Sequence, residues 1–129
     1  MDAEEARAEY EHAQHDLELP DGMEFPDEYP PASDEPTRYE EGHGQGFAES
    51  FYICAWQREW LDVYAEDEDA AREALAMLHE ARDTRFMREQ LDDAGRELYD
   101  EYLSQAELGD PSGIRHDVEL NCTGRLSPE

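Results

Sequence analysis

One segment of this chain is apolar on nearly every side. Between Phe47 and Glu66 the residues Phe51, Tyr52, Ile53, Cys54, Ala55 and Trp56 run without a charge, and the stretch then narrows to a face of Trp60, Leu61, Val63 and Tyr64. A helix with that pattern belongs in the middle of a bundle, with other helices laid around it. Asp67 and Asp69 offer N-cap oxygens to a second helix near residues 69–82, whose apolar positions are Ala71, Ala74, Leu75, Met77, Leu78 and Ala81. Thr84 can cap a third. Its periodicity predicts an unbroken helix to about Leu108 through Met87, Leu91, Ala94, Leu98 and Tyr102, with Tyr99, Leu103 and Ala106 on the flank, stopped by Gly109 and Pro111.

The last segment carries two periods at once. Ile114, His116, Val118, Leu120 and Cys122 alternate like a strand, while Ile114, Val118 and Cys122 sit four apart like a helix. A short helix is expected, because Asp110 precedes a proline at the first helical position, Gly124 can end it, and a lone strand has nothing to pair with. The fold predicted is all-α: a small three- to four-helix bundle over residues 47–124, packed around Phe51, Ile53, Trp56, Trp60, Leu75, Leu78, Leu91 and Leu98, with a tail at 125–129.

Residues 1–46 read differently, as an acidic, proline-rich arm. Residues 2–19 form a polar helix with a thin stripe of Ala3, Ala6, Tyr10, Ala13 and Leu17, marginal on its own. Pro20, Pro26, Pro30, Pro31 and Pro36 follow, interleaved with Gly22 and then Gly42, Gly44 and Gly46. That spacing predicts an extended linker pinned by Phe25, Tyr29 and Tyr39, ending in a flexible joint at Gly-His-Gly-Gln-Gly, residues 42–46.

Charge narrows the function classes. The chain has 36 acids against 10 Arg and no Lys, a formal net charge of -26. Such a molecule cannot neutralise phosphates along a duplex and is repelled by anionic headgroups, so direct nucleic-acid binding is excluded and any partner is expected to be a basic protein. The same acidity also serves hydration in concentrated salt, and the replacement of every Lys by Arg is what codon bias in a GC-rich genome produces. No apolar run reaches the roughly 18 residues of a spanning helix, and the N-terminal residues have neither a basic start nor an apolar middle, so neither membrane insertion nor an export signal is expected.

Three constellations invite chemistry. On the predicted third helix, Glu89, Asp93, Glu97, Asp100 and Glu101 recur three or four residues apart, roughly 6 Å along a helix axis and on the scale of backbone phosphates. A rigid row of that kind can imitate a nucleic-acid strand, or be a solvated face laced by pairs such as Asp92 with Arg96 and Arg88 with Asp92. Glu9, His12 and His15, with Asp16 beside them, have metal-ligand spacing, but one such pair is not a site, because carboxylate-bridged centres also need further carboxylates on the apolar face of a bundle. Cys54 and Cys122 are either two buried thiols or a bridge between the central helix and the C-terminal segment. Asn121-Cys122-Thr123 matches a glycosylation triplet that is common by chance. No nucleophile signature or phosphate-binding glycine loop is present, so no catalytic residues and no cofactor are expected.

Short motifs carry a resemblance. Leu-Pro-Asp-Gly-Met at 19–23, Tyr-Glu-Glu-Gly at 39–42, Cys-Ala-Trp-Gln-Arg-Glu-Trp-Leu at 54–61 and Gly-Asp-Pro at 109–111 before a final Cys resemble a group of small uncharacterised actinobacterial proteins. In that group a transmembrane helix often precedes the segment. The resemblance therefore implies a domain outside the cytoplasm with Cys54 joined to Cys122; without it, the chain reads as cytoplasmic. The functional expectation is a non-catalytic acidic helical interaction module. The alternatives are a nucleic-acid mimic that inhibits a DNA-binding protein, and an enzyme or metal-binding protein whose site the sequence does not display.

Overall fold

The segment apolar on most sides forms the central helix, α2 (His43–Val63), with α1 (Ala3–Gln14) against its N-terminal half and α3 (Glu68–Glu80) against its C-terminal half. A 3-10 turn (Ala81–Asp83) and a π-turn (Phe86–Gln90) lead into α4 (Asp93–Glu107), which pairs with α5 (Ser112–Asn121). This is a computed structural model that describes residues 1–31 and 37–122. The described residues are all-helical and contain no strand. Gly124, the 125–129 tail, Thr123 and Pro36 lie outside them.

α2 is surrounded as its composition requires. Trp56, Trp60, Leu78, Met87, Tyr99, Leu103, Ile114 and Val118 form one buried cluster around it. Ala6, Tyr10, Tyr29, Phe47 and Ala48 form a second, between α1 and the start of α2. Each large apolar side chain removed from water in this way contributes about 1.5–3 kcal/mol.

The region before Phe47 is not a detached arm. Ala6 and Tyr10 are fully buried, so the thin apolar stripe of α1 is a packing face. The segment after α1 is fastened by hydrogen bonds that no local pattern announces. Arg7 donates to the carbonyls of Asp27 and Tyr29, Tyr10 Oη to Pro26 O at 2.6 Å, and Trp56 Nε1 to Glu18 O at 2.8 Å. Phe25 lies against Phe51 with ring centroids 5.4 Å apart, Tyr29 against Phe47 at 4.6 Å and Tyr39 against His43 at 5.1 Å. The glycine joint is not a joint either. Gly42, at φ 92°, turns the chain into α2, and Gly44 and Gly46 are already helical. At Gly44 the backbone of α1 occupies the space that a side chain would fill.

The third predicted helix is broken. Leu91 is extended (φ -93°, ψ 143°), and Asp92 starts a new helix by accepting from Gly95 N at 2.8 Å. Arg96 folds back to donate to the carbonyls of Met87 (3.2 Å), Arg88 (3.3 Å) and Leu91, satisfying acceptors that the break leaves open. Asp92 and Arg96 are thus a cap for each side of the break, and the pairs expected between Asp92 and Arg96 or Arg88 do not form. The break also slips the helical phase. Tyr99, Leu103 and Ala106 face inward while Leu98, expected in the core, is 46% exposed. α5 forms as expected, with Asp110 Oδ1 accepting from Ser112 N at 3.0 Å ahead of it.

Candidate functional site

One face of α2 lines a cleft. His43, Phe47, Ser50, Cys54 and Gln57 recur every three or four residues and so share a side of the helix. Opposite them stand Phe86 and Met87 from the π-turn, Leu91 just after it, Tyr99 from α4, Asp117 and Asn121 from α5, and Cys122 at its end. The cleft, open on one side, has a volume of about 350 Å³, within the range of small-molecule sites, which run from about 300 to 1,000 Å³.

The disulfide closes one end of this cleft. Cys54 and Cys122 are bonded, with their Cα atoms 5.7 Å apart. The sulfur of Cys122 lies 3.5 Å from Gln57 Oε1, and since a disulfide sulfur carries no proton this is a packing contact. Arg58 adds a hydrogen bond to Cys122 O at 3.1 Å. The end of α5 is therefore tied to α2 covalently and by its backbone.

Beside the disulfide sits a short polar network. Gln57, only 1% exposed, donates through Nε2 to Asp117 Oδ2 at 2.6 Å, and Asn121 Nδ2 donates to Asp117 Oδ1 at 2.6 Å. Tyr99 Oη donates to Leu78 O at 2.6 Å. Burial pushes the Tyr99 phenol well above its ordinary value, and the negative charge of Asp117 pushes it further.

Carboxylates elsewhere serve as caps. Gly42 has no side chain to cap α2, and Glu9 of α1 takes that role, accepting from Gln45 N at 2.8 Å and Gly42 N at 3.2 Å. Glu49 of α2, the one buried acid among the described residues, accepts from Phe86 N at 2.8 Å and Gln45 Nε2 at 3.0 Å, and so caps the π-turn. Glu9 is thereby withdrawn from the candidate metal set. His12 and His15 remain exposed with ring centroids 6.0 Å apart, and among the described residues no group of three or more His, Cys, Asp or Glu is arranged to hold a metal ion.

The acidic row is not one row. Glu89 belongs to the π-turn, while Asp93, Glu97, Asp100 and Glu101 belong to α4 across the break. Three of the five are met by arginine: Glu89 by Arg85 at 3.0 Å, Asp100 by Arg82 at 2.8 Å, and Asp93 by Arg96. Elsewhere Asp21, Asp62 and Glu73 lie near enough to Glu59 to act on its charge, and among the described residues none of the four forms an ion pair. There, partial burial first and then the charges of Asp62, Asp21 and Glu73 hold the Glu59 carboxyl above the usual range.

No family model, curated protein or solved structure matches this chain. The residues that the sequence does not assign to a common site are Ser50, Gln57, Asp117 and Asn121. Their signal was available: Ser50, Cys54 and Gln57 are polar or sulfur-bearing positions on a single face of the most apolar helix, and Asp117 and Asn121 sit four apart just before Cys122.

Proposed function

We propose that this protein is a non-catalytic, disulfide-stapled interaction module that works outside the cytoplasm and binds a basic protein. The observation that carries the reading is the cluster of Asp21, Glu59, Asp62 and Glu73. Partial burial first, and then the charges of Asp62, Asp21 and Glu73, disfavour the Glu59 carboxylate; among the described residues no arginine pairs with these four acids, and a cationic side chain from a partner would offset the repulsion directly. The net charge of -26 extends the attraction to long range and speeds encounter. The Cys54–Cys122 bond supports an oxidising compartment, where such bonds form and persist.

The test compares two variants of equal charge. One carries Glu59→Gln, Asp62→Asn and Glu73→Gln; the other carries Glu4→Gln, Glu5→Gln and Glu11→Gln on exposed positions of α1. An arginine-rich peptide is titrated against both across a salt series. The first variant is expected to lose about tenfold in affinity and the second little, with binding to the native protein weakening as salt rises. Equal losses, or binding indifferent to salt, would overturn the reading. Competition with duplex DNA for a basic nucleic-acid enzyme at low salt would favour a nucleic-acid mimic instead.

A further inference from the structure

We infer that the cleft between α2, the π-turn and α5 binds a small organic cation, its apolar body against Phe86, Met87 and Leu91 and its charged group at Asp117.

The cleft is large enough and has the right polarity at the right end. About 350 Å³ accommodates a ligand on the scale of a substituted aromatic amine, and most of the exposed wall surface is apolar. At the α5 end two polar groups converge on one side chain. Asp117 accepts one hydrogen bond on each oxygen, from Gln57 and from Asn121. A carboxylate has about four acceptor positions, so roughly two remain for a ligand. Both donors are neutral amides, and among the described residues Asp117 forms no ion pair. It is therefore a half-buried anion held in place by hydrogen bonds and left uncompensated in charge.

Asp117 and Tyr99 line the same cleft, and the Asp117 charge adds to the burial that already pushes the Tyr99 phenol up. Low-dielectric walls concentrate the field of that charge, so an ammonium group gains more there than on the open acidic surface. The amides also fix the position of Asp117, because Gln57 is locked by burial and Asn121 is four residues away on the same helix face. An anionic ligand would meet Asp117 head-on. A neutral apolar one would leave it unpaired.

Two probes of equal size separate charge from shape. 2-Phenylethylammonium and 2-phenylethanol are titrated at neutral pH against the full chain, followed by methyl chemical shifts of Ile53, Met87 and Leu91. The ammonium is expected to bind about tenfold tighter than the alcohol and to perturb those methyls, since charge-assisted hydrogen bonds are roughly twice as strong as neutral ones. Asp117→Asn should bring the two probes to within about twofold, and Ser50→Leu, which fills the cleft, should weaken both. Equal affinity of the native protein for the two probes overturns the inference, as do ammonium-induced shifts confined to the exposed acids. The native-protein measurements decide the matter even if a variant fails to fold.

Discussion

Gly44 of α2 and Ala6 of α1 meet backbone to backbone, so closely that a Cβ placed on Gly44 would lie 2.4 Å from the Ala6 carbonyl oxygen and 2.8 Å from the Tyr10 amide nitrogen. This approach is what lets a helix with only a thin apolar stripe dock: small surfaces facing each other bring Tyr10 within reach of Phe47, their ring centroids 5.5 Å apart.

Gly44→Ala should therefore destabilise the fold. The obstacle is backbone, so the cost lies near the upper end for overpacking, about 3 kcal/mol. Alanine's advantage over glycine inside a helix returns about 1 kcal/mol of it. The expected net loss of about 2 kcal/mol is read from the midpoint of urea unfolding. Gly46→Ala is the control. The nearest atoms to its added methyl are the end of the exposed Gln90 side chain, which can rotate away, so that variant should stay close to the native protein.

Glu9→Ala should cost about 1–2 kcal/mol, because two amides at the start of α2 lose their acceptor and the helix dipole loses its counter-charge. Glu9→Gln should cost less, since an oxygen remains. Amide hydrogen exchange at Gln45 distinguishes a lost cap from a general loosening: protection there should fall before protection in the middle of α2 does.

Reduction of the Cys54–Cys122 bond should lower stability by about 4 kcal/mol, the chain-entropy value for a crosslink between residues 68 apart. Mass spectrometry with and without reductant checks the bond itself. A mass gain of about two daltons on reduction, one hydrogen per sulfur, is the expected result.

The pH dependence has a definite sign at Glu59. Its carboxyl is raised in the folded state, so between its ordinary value and the raised one the native protein holds more protons than the unfolded chain. The contribution is fully present below the ordinary value and is lost as pH climbs through the raised one. Glu59→Gln should remove that decline and leave the protein more stable than the native form at neutral pH. Thermal unfolding midpoints measured between acid and neutral pH check both statements.

A different window opens in alkali. Burial pushes the Tyr10 phenol up to about 12, so its stabilising effect holds below the ordinary phenol range and disappears as pH rises through about 12. Tyr10→Phe should flatten that part of the alkaline unfolding curve while giving up the hydrogen bond to Pro26 O.

Much of this architecture was legible. Phe51 to Trp56 announced a helix wrapped on all sides, and α2 is wrapped on all sides. Asp67 was read as a cap and accepts from Ala70 N at 3.1 Å. The break at Leu91 was not read, although Asp92 and Gly95 interrupt the helical pattern there, because the apolar spacing of Met87, Leu91 and Leu98 runs straight through. Periodicity reports which residues want burial and is silent about a phase slip. The cleft escaped for a related reason: Gln57 and Asp117 are 60 residues apart, and only their meeting makes either informative.

The sequence by itself determined the helical class, the central position of α2 and the outward crowding of acids, since these follow from period, composition and the cost of burying charge. Tertiary structure alone decided that the N-terminal helix joins the body, that Glu9 and Glu49 become caps, and that Asp117 faces a cleft. Each of those depends on backbone groups of distant segments arriving within hydrogen-bonding distance, a condition set by the packing of whole helices and written in no local stretch of residues.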